Sequence, residues 1–270
     1  MSLIHYTDAL GLMGIIQHQA LWATDARFLN DSMEIHAGLQ LVESRCSEMM
    51  QRVRTSTDRA IRATERLYAA LPEFLYANIE ARNIYIVSFS ESRDNLRQWM
   101  AYCPKNAGYA IEFNSDKILV DGSFERDNHV VCRLEKVDYH EDKIDEIISP
   151  ESLIKEIEEA GSHIERAALK TANKLMFHCC AVKPFEFYDE RERRLIIQSK
   201  KEKNHPVNFR SRSGLVIPYF SYPAPRSLIK EITIGPNANM KLARQGLDDF
   251  LRAHSIDCYI HESQCSLRVF

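Results

Sequence analysis

Helix-forming and strand-forming segments are segregated along this chain of 270 residues, and that segregation limits its folds more than any other feature. A regular βαβ alternation would interleave them; runs of each kind argue for an α+β domain. Leu3-Ile4-His5-Tyr6 reads as a first strand, and Thr7 and Asp8 as caps of a helix. Leu10, Met13, Ile15 and Ile16 give that helix its apolar face, and Leu21–Thr24 is extended. Asn30, Asp31 and Ser32 offer cap chemistry for a second helix, to about Arg54. A third helical stretch runs from Ser56 to Arg82 with Leu67, Leu71 and Leu75 at helical spacing; Pro72 predicts a kink or break within it.

Strands are predicted over Ile84–Ser90, Gly108–Phe113 and His129–Tyr139, with a short helix over Asp94–Tyr102. Pro150–Cys180 is mostly helical, with Leu153, Ile157, Ile164 and Leu169 on the buried side. Strands return over Arg194–Gln198, Gly214–Phe220 and Glu231–Ile234, then a helix over Met240–His254. Closing strands are expected at Tyr259 and Leu267–Phe270. No linker or repeat interrupts the chain, so residues 1–270 read as one domain.

A net charge of -3 gives no overall attraction to nucleic acid or an anionic membrane. Seven scattered cysteines without a secretory pattern predict free thiols in a reducing cytoplasm. No apolar run approaches the ~18 residues of a membrane span, so no membrane partner is expected.

The chemistry concentrates in Asp189-Glu190-Arg191-Glu192-Arg193-Arg194, which abuts the apolar Leu195-Ile196-Ile197. In an extended chain Glu190, Glu192 and Arg194 share a face. The bland alternative is a solvated strand end. Trp99 and Tyr102 lie three apart on one helix face, as core packing or as a ring platform. Ser88 and Ser90 share a strand face, and His5 stands near the end of the first strand. His254, Cys258, His261 and Cys265 have metal-like spacing, but a strand around Ile260 would send them to opposite faces, so no metal is expected. Neither a glycine-rich phosphate loop nor a G-x-S-x-G elbow is present.

Several stretches together resemble bacterial domain-of-unknown-function family 2971. They are His5-Tyr6-Thr7, Leu21 to Asp31, Val87 to Glu91, Gln98-Trp99-Met100-Ala101-Tyr102, Gly108 to Phe113, Glu190 to Ile196 and Glu231 to Asn239. That family is distantly similar to ADP-ribosyltransferases. The resemblance implies a split antiparallel β-sheet core of ADP-ribosyltransferase type, with helical insertions at about 31–82 and 150–180. It implies NAD as the substrate, bound between the two half-sheets.

His5 matches the polar first-strand residue that holds the cofactor, with Tyr6 and Thr7 beside it. Ser88-Phe89-Ser90 loosely matches the Ser-Thr-Ser of a middle strand, and Glu190-Arg191-Glu192 matches an E-x-E arrangement. Glu192 is then the catalytic carboxylate, opposing charge on an oxocarbenium-like ribose, and Glu190 orients or deprotonates the acceptor. Arg194 and Arg27 are pyrophosphate candidates, and Trp99, Tyr102 or Phe187 would stack on a ring. The implied activity is NAD-dependent ADP-ribosyl transfer to a protein or nucleic acid, by a toxin or phage-defence effector with an antitoxin or chaperone partner. Two alternatives stay open: a non-enzymatic nucleotide- or partner-binding module, and an NAD glycohydrolase. A run of basic residues, Arg191, Arg193, Arg194, Lys200, Lys201, Lys203, Arg210 and Arg212, is a candidate patch for a polyanionic acceptor.

Overall fold

Alternating apolar positions in the strand segments produce one large sheet. A computed structural model describes residues 2–29, 34–103, 108–119, 122–203, 206–212 and 214–265. The strands are β1 (Ser2–Thr7), β2 (Ala20–Asp25), β3 (Arg82–Ser90), β4 (Tyr109–Asn114), β5 (Val130–Lys136), β6 (Glu192–Lys200), β7 (Asn208–Arg212), β8 (Leu215–Pro223), β9 (Ile229–Ile234) and β10 (Tyr259–Glu262). Pairing between these strands is antiparallel except between β9 and β10.

The sheet forks at β3. One edge of β3 pairs with β6 along its whole length, from Arg82↔Lys200 to Ser90↔Glu192. The other edge is shared. β1 meets it only at Ile4↔Ser90, and β2 only at Thr24↔Ile86 and Asp25↔Tyr85. Beyond those contacts β1 pairs with β4, which continues to β9 and β10, and β2 pairs with β8 and β7. The two arms therefore part beside Ser88.

The helices are α1 (Ala9–His18), α2 (Glu34–Arg54), α3 (Arg59–Ala63), α4 (Glu65–Glu80), α5 (Leu96–Tyr102), α6 (Gly122–Asp127), α7 (Asp142–Ile147), α8 (Pro150–Glu159), α9 (Ile164–Cys179) and α10 (Met240–Ala253). Apolar faces of α1 and α10 cover one side of the sheet over Leu3, Val87, Phe89, Ile111 and Ile232. The two segments expected as separate insertions form a single helical layer, in which α2 and α4 pack on α9 around Leu71, Leu75, Ala168 and Leu175. A third cluster of Ile84, Ile86, Ile196, Phe177, Cys180 and Ala181 joins that layer to the other side of β3 and β6.

Several local expectations need correction. The break in the third helical stretch falls at Thr64, whose hydroxyl donates to the Ile61 carbonyl, and α4 runs on through Pro72. Leu10 and Met13 are exposed; α1 buries Leu12, Ile15 and Ile16 instead. Leu169 is also exposed, because α9 uses small residues, Ala167, Ala168 and Ala172, for its close approach to the other helices. α6, α7 and β7 were not expected, being short and weakly periodic. The Asn30–Ser32 cap and the Leu267–Phe270 strand lie outside the described residues.

Candidate functional site

At the fork, polar side chains from separate elements meet. Glu192 opens β6 and is 3 % exposed. Arg194, two residues on and on the same face, grips it through Nε at 2.9 Å and Nη2 at 3.0 Å. Lys183 Nζ lies 2.8 Å from Glu192 Oε2 and 2.7 Å from Glu190 Oε2. Arg194 Nη1 donates to the Cys180 carbonyl at the C-terminus of α9. The two cations hold the Glu192 carboxyl down at about 2, against burial, which alone would raise it.

Glu190 joins this cluster by a route the alternation argument did not foresee. It belongs to a 3-10 turn over Phe185–Glu190, and Arg191 follows in the left-handed region at φ 45°. That reversal carries the chain into β6 and lets both carboxylates converge on Lys183. Ser90 Oγ braces the turn by donating to the Glu190 carbonyl at 2.7 Å. The Glu190 side chain is 13 % exposed against 4 % for Glu192. Glu190 is thus the more accessible carboxylate.

Across the fork stands His5. Its Nδ1 lies 3.0 Å from the Ser88 carbonyl, at the place where the arms part. Burial lowers its pKa. A neutral ring bonded to a carbonyl carries its proton on Nδ1, which leaves Nε2 as an acceptor. His5, Ser88, Ser90, Tyr102, Glu190 and Glu192 line one crevice, with Gln98 and the backbone around them. Desolvation and the nearby Glu192 push the Tyr102 hydroxyl up to about 12, so it stays protonated. The crevice encloses about 40 Å³, room for about three water molecules.

Other predicted residues are engaged elsewhere. Tyr6 borders the crevice, but its hydroxyl donates to the Ser92 carbonyl and accepts from Asn95 N–H. Thr7 lies against the first turn of α1, where a Cβ on Gly11 would collide with its hydroxyl. Trp99 is wholly buried, donates Nε1–H to Asp94, and leaves no ring face for a ligand. Gly235 exists to accommodate it: a Cβ there would come within 2.8 Å of the indole. Arg27 is forked onto Asp25 and does not reach the crevice. Trp99 therefore follows its core-packing reading, and Ser90 serves the turn.

The basic run is no single patch. Arg194 is inside the ion cluster and Arg193 binds Glu91 at 2.5 Å. Lys200 sits at the opposite end of β6, roughly 20 Å away. Nor do the four residues with metal-like spacing converge: His254 bonds the Phe250 carbonyl, His261 meets Glu231, and Cys265 lies by Asp94.

Lys183 and Gln98 were missed. Gln98 and Tyr102 are four apart on α5 and turn toward the same crevice, a spacing visible in the sequence. Lys183 has no such signal, because its role depends on where α9 ends against β6.

Residues 98–195 match the model of a family described as protein of unknown function (DUF2971). This is the family the motifs resemble. The matched DUF2971 segment begins on α5 and ends in β6, and so contains Tyr102, Lys183, Glu190, Glu192 and Arg194. No curated protein and no solved structure matches the chain.

Proposed function

We propose that the crevice at the fork binds NAD and supports ADP-ribosyl transfer to a protein or nucleic-acid acceptor. One observation carries this reading: His5 on β1 and the Glu190–Glu192 pair beside β6 line one crevice, although 185 residues separate Glu190 from His5 in the chain. The forked β3 edge supports it as well, since a split sheet is what the resemblance implies.

The roles of the two glutamates follow from their partners. Cleavage of the bond between nicotinamide and ribose develops positive charge on the sugar, and a nearby carboxylate opposes it. Both Glu192 oxygens are occupied by Arg194 and Lys183. Glu192 is therefore a positioning residue that fixes Lys183. Glu190, held from one side by Lys183, meets the ribose. His5 Nε2 accepts from a ribose hydroxyl, and Tyr102 donates to the ligand. At about 40 Å³ the crevice is far below the roughly 300–1,000 Å³ of ligand pockets, so binding requires it to open.

Given a protein or nucleic-acid acceptor for the ADP-ribosyl group, or water in its place, purified protein is expected to release nicotinamide from NAD, and Glu190→Gln to abolish the release while melting within a few degrees of the native protein. Undiminished release by Glu190→Gln would sink the assignment. Absence of any thermal shift with NAD or ADP-ribose would sink NAD binding altogether.

A further inference from the structure

The two arginines first read as pyrophosphate ligands are both consumed, Arg27 by Asp25 and Arg194 by Glu192. A third arginine is not. Arg210 on β7 reaches across to β2, where Nη2 donates to Thr24 Oγ1 at 2.7 Å. Its guanidinium carbon lies 5.8 Å from the Trp22 ring, which itself stacks on Tyr219 at 4.8 Å. No carboxylate pairs with it among the described residues, and its Nε is buried without a hydrogen-bond partner there. Arg212, on the same side of β7 two residues on, adds a second positive charge.

Such an arrangement is costly by itself. A partly buried guanidinium without an anion loses hydration, and a like charge beside it adds repulsion. Burial first, and then the neighbouring Arg212, lower the pKa of Arg210. Asp8 is within electrostatic reach, but its carboxylate is engaged in capping α1 through Gly11 N–H at 2.7 Å. Thr24, which Arg210 holds, pairs with Ile86 on β3, two residues from Ser88, so Arg210 stands beside the place where the arms part, outside the closed crevice itself.

We propose that Arg210, with the Thr24 hydroxyl, is the anchor for the phosphate groups of the ligand that enters the fork. The guanidinium presents a fork of N–H donors suited to two phosphate oxygens, and a bound phosphate supplies the missing counter-charge. This assignment rests on the nucleotide reading given above, which it extends to the phosphate end of the ligand. Glu190 and His5 then face the ribose, and Arg210 the pyrophosphate.

The test uses three probes on the native protein and on Arg210→Gln: NAD, nicotinamide riboside, which lacks the pyrophosphate, and inorganic pyrophosphate alone. Binding is read by calorimetry and by the emission of Trp22, the half-buried one of the two tryptophans. Arg210→Gln is expected to weaken NAD and pyrophosphate about tenfold or more and to leave nicotinamide riboside unchanged. If Arg210→Gln fails to fold, Arg210→Lys serves; it keeps the charge and should lose several-fold through the missing fork. Pyrophosphate that binds native and variant protein alike, or neither, overturns the phosphate anchor whatever NAD does. Pyrophosphate bound through Arg210 with no binding of NAD leaves the anion site standing and overturns the nucleotide reading.

Discussion

Glu192, expected as the catalytic carboxylate, sits in an ion cluster whose effect on stability can be measured apart from any activity. A carboxylate gripped by a guanidinium and an ammonium in a buried site is costly to break: removing one member of such a group costs roughly 3–5 kcal/mol. Glu192→Gln is therefore expected to destabilise the protein by about that amount in urea unfolding, and loss of activity in it would say little about catalysis. The pH dependence has a definite sign. Glu192 titrates at about 2 in the folded protein, below its ordinary 4.5, so its contribution is present above the ordinary value. It is lost as pH falls from about 5 through 2, on the order of 3 kcal/mol. The fall in urea midpoint over that range should be shallower in Glu192→Gln than in the native protein; equal slopes would show that the folded and unfolded carboxylates titrate alike. The sequence displayed Glu192 and Arg194 on one face, because strand alternation fixes that. It could not display Lys183, which reaches them only through the end of α9.

Among the elements, the turn over Phe185–Glu190 and helix α5 border the crevice beside strands β1, β3 and β6, and they are held very differently. α5 is anchored by the buried Trp99, locked on Asp94 and packed edge-on to Tyr6 at 4.6 Å. Residues 185–189 are exposed, and side chains make their ties to the rest of the protein: Asn95 Nδ2 to the Asp189 carbonyl, Arg97 Nη1 to the Glu186 carbonyl. Local opening has a low cost where buried apolar contacts are few. The turn, not α5, is the wall expected to move for a ligand. Amide hydrogens of 186–191 should exchange faster than those of 98–102, and Arg97→Ala should accelerate the former only. Equal protection of both segments would rule the turn out as the gate. The same contrast explains what was legible. Trp99 and its helix carry periodicity, so α5 was expected nearly at its true bounds. The turn and the left-handed Arg191 behind it carry none, since their geometry is imposed by β6 and Lys183.

At the scale of the whole molecule, the described residues form two large apolar cores with a narrow junction. One core lies between the sheet and α1 with α10, the other within the helical layer, and Ile84, Ile86, Ile196, Phe177, Cys180 and Ala181 join them. The α+β class and the strand runs were readable from segregated periodicities. The single helical layer was not, because two stretches separated by some 70 residues of sheet gave no sign of packing together. Ile196 is wholly buried in the junction, directly opposite Ile86 on β3. Its loss removes apolar contact from both sides at once, while leaving each main core untouched. Ile196→Ala should cost about 2–5 kcal/mol. It should also divide thermal unfolding into two steps, the helical layer separating from the sheet, since cooperativity between two cores depends on the contacts they share. Leu71→Ala, inside the helical core, has a similar burial and a similar expected cost but leaves the junction whole. It should lower the melting temperature without splitting the transition. A calorimetric enthalpy equal to the van't Hoff value in both variants would overturn the apolar junction as the coupling element and leave the ion cluster at the fork as the next to test. In that case Arg194→Met is the substitution that divides the transition.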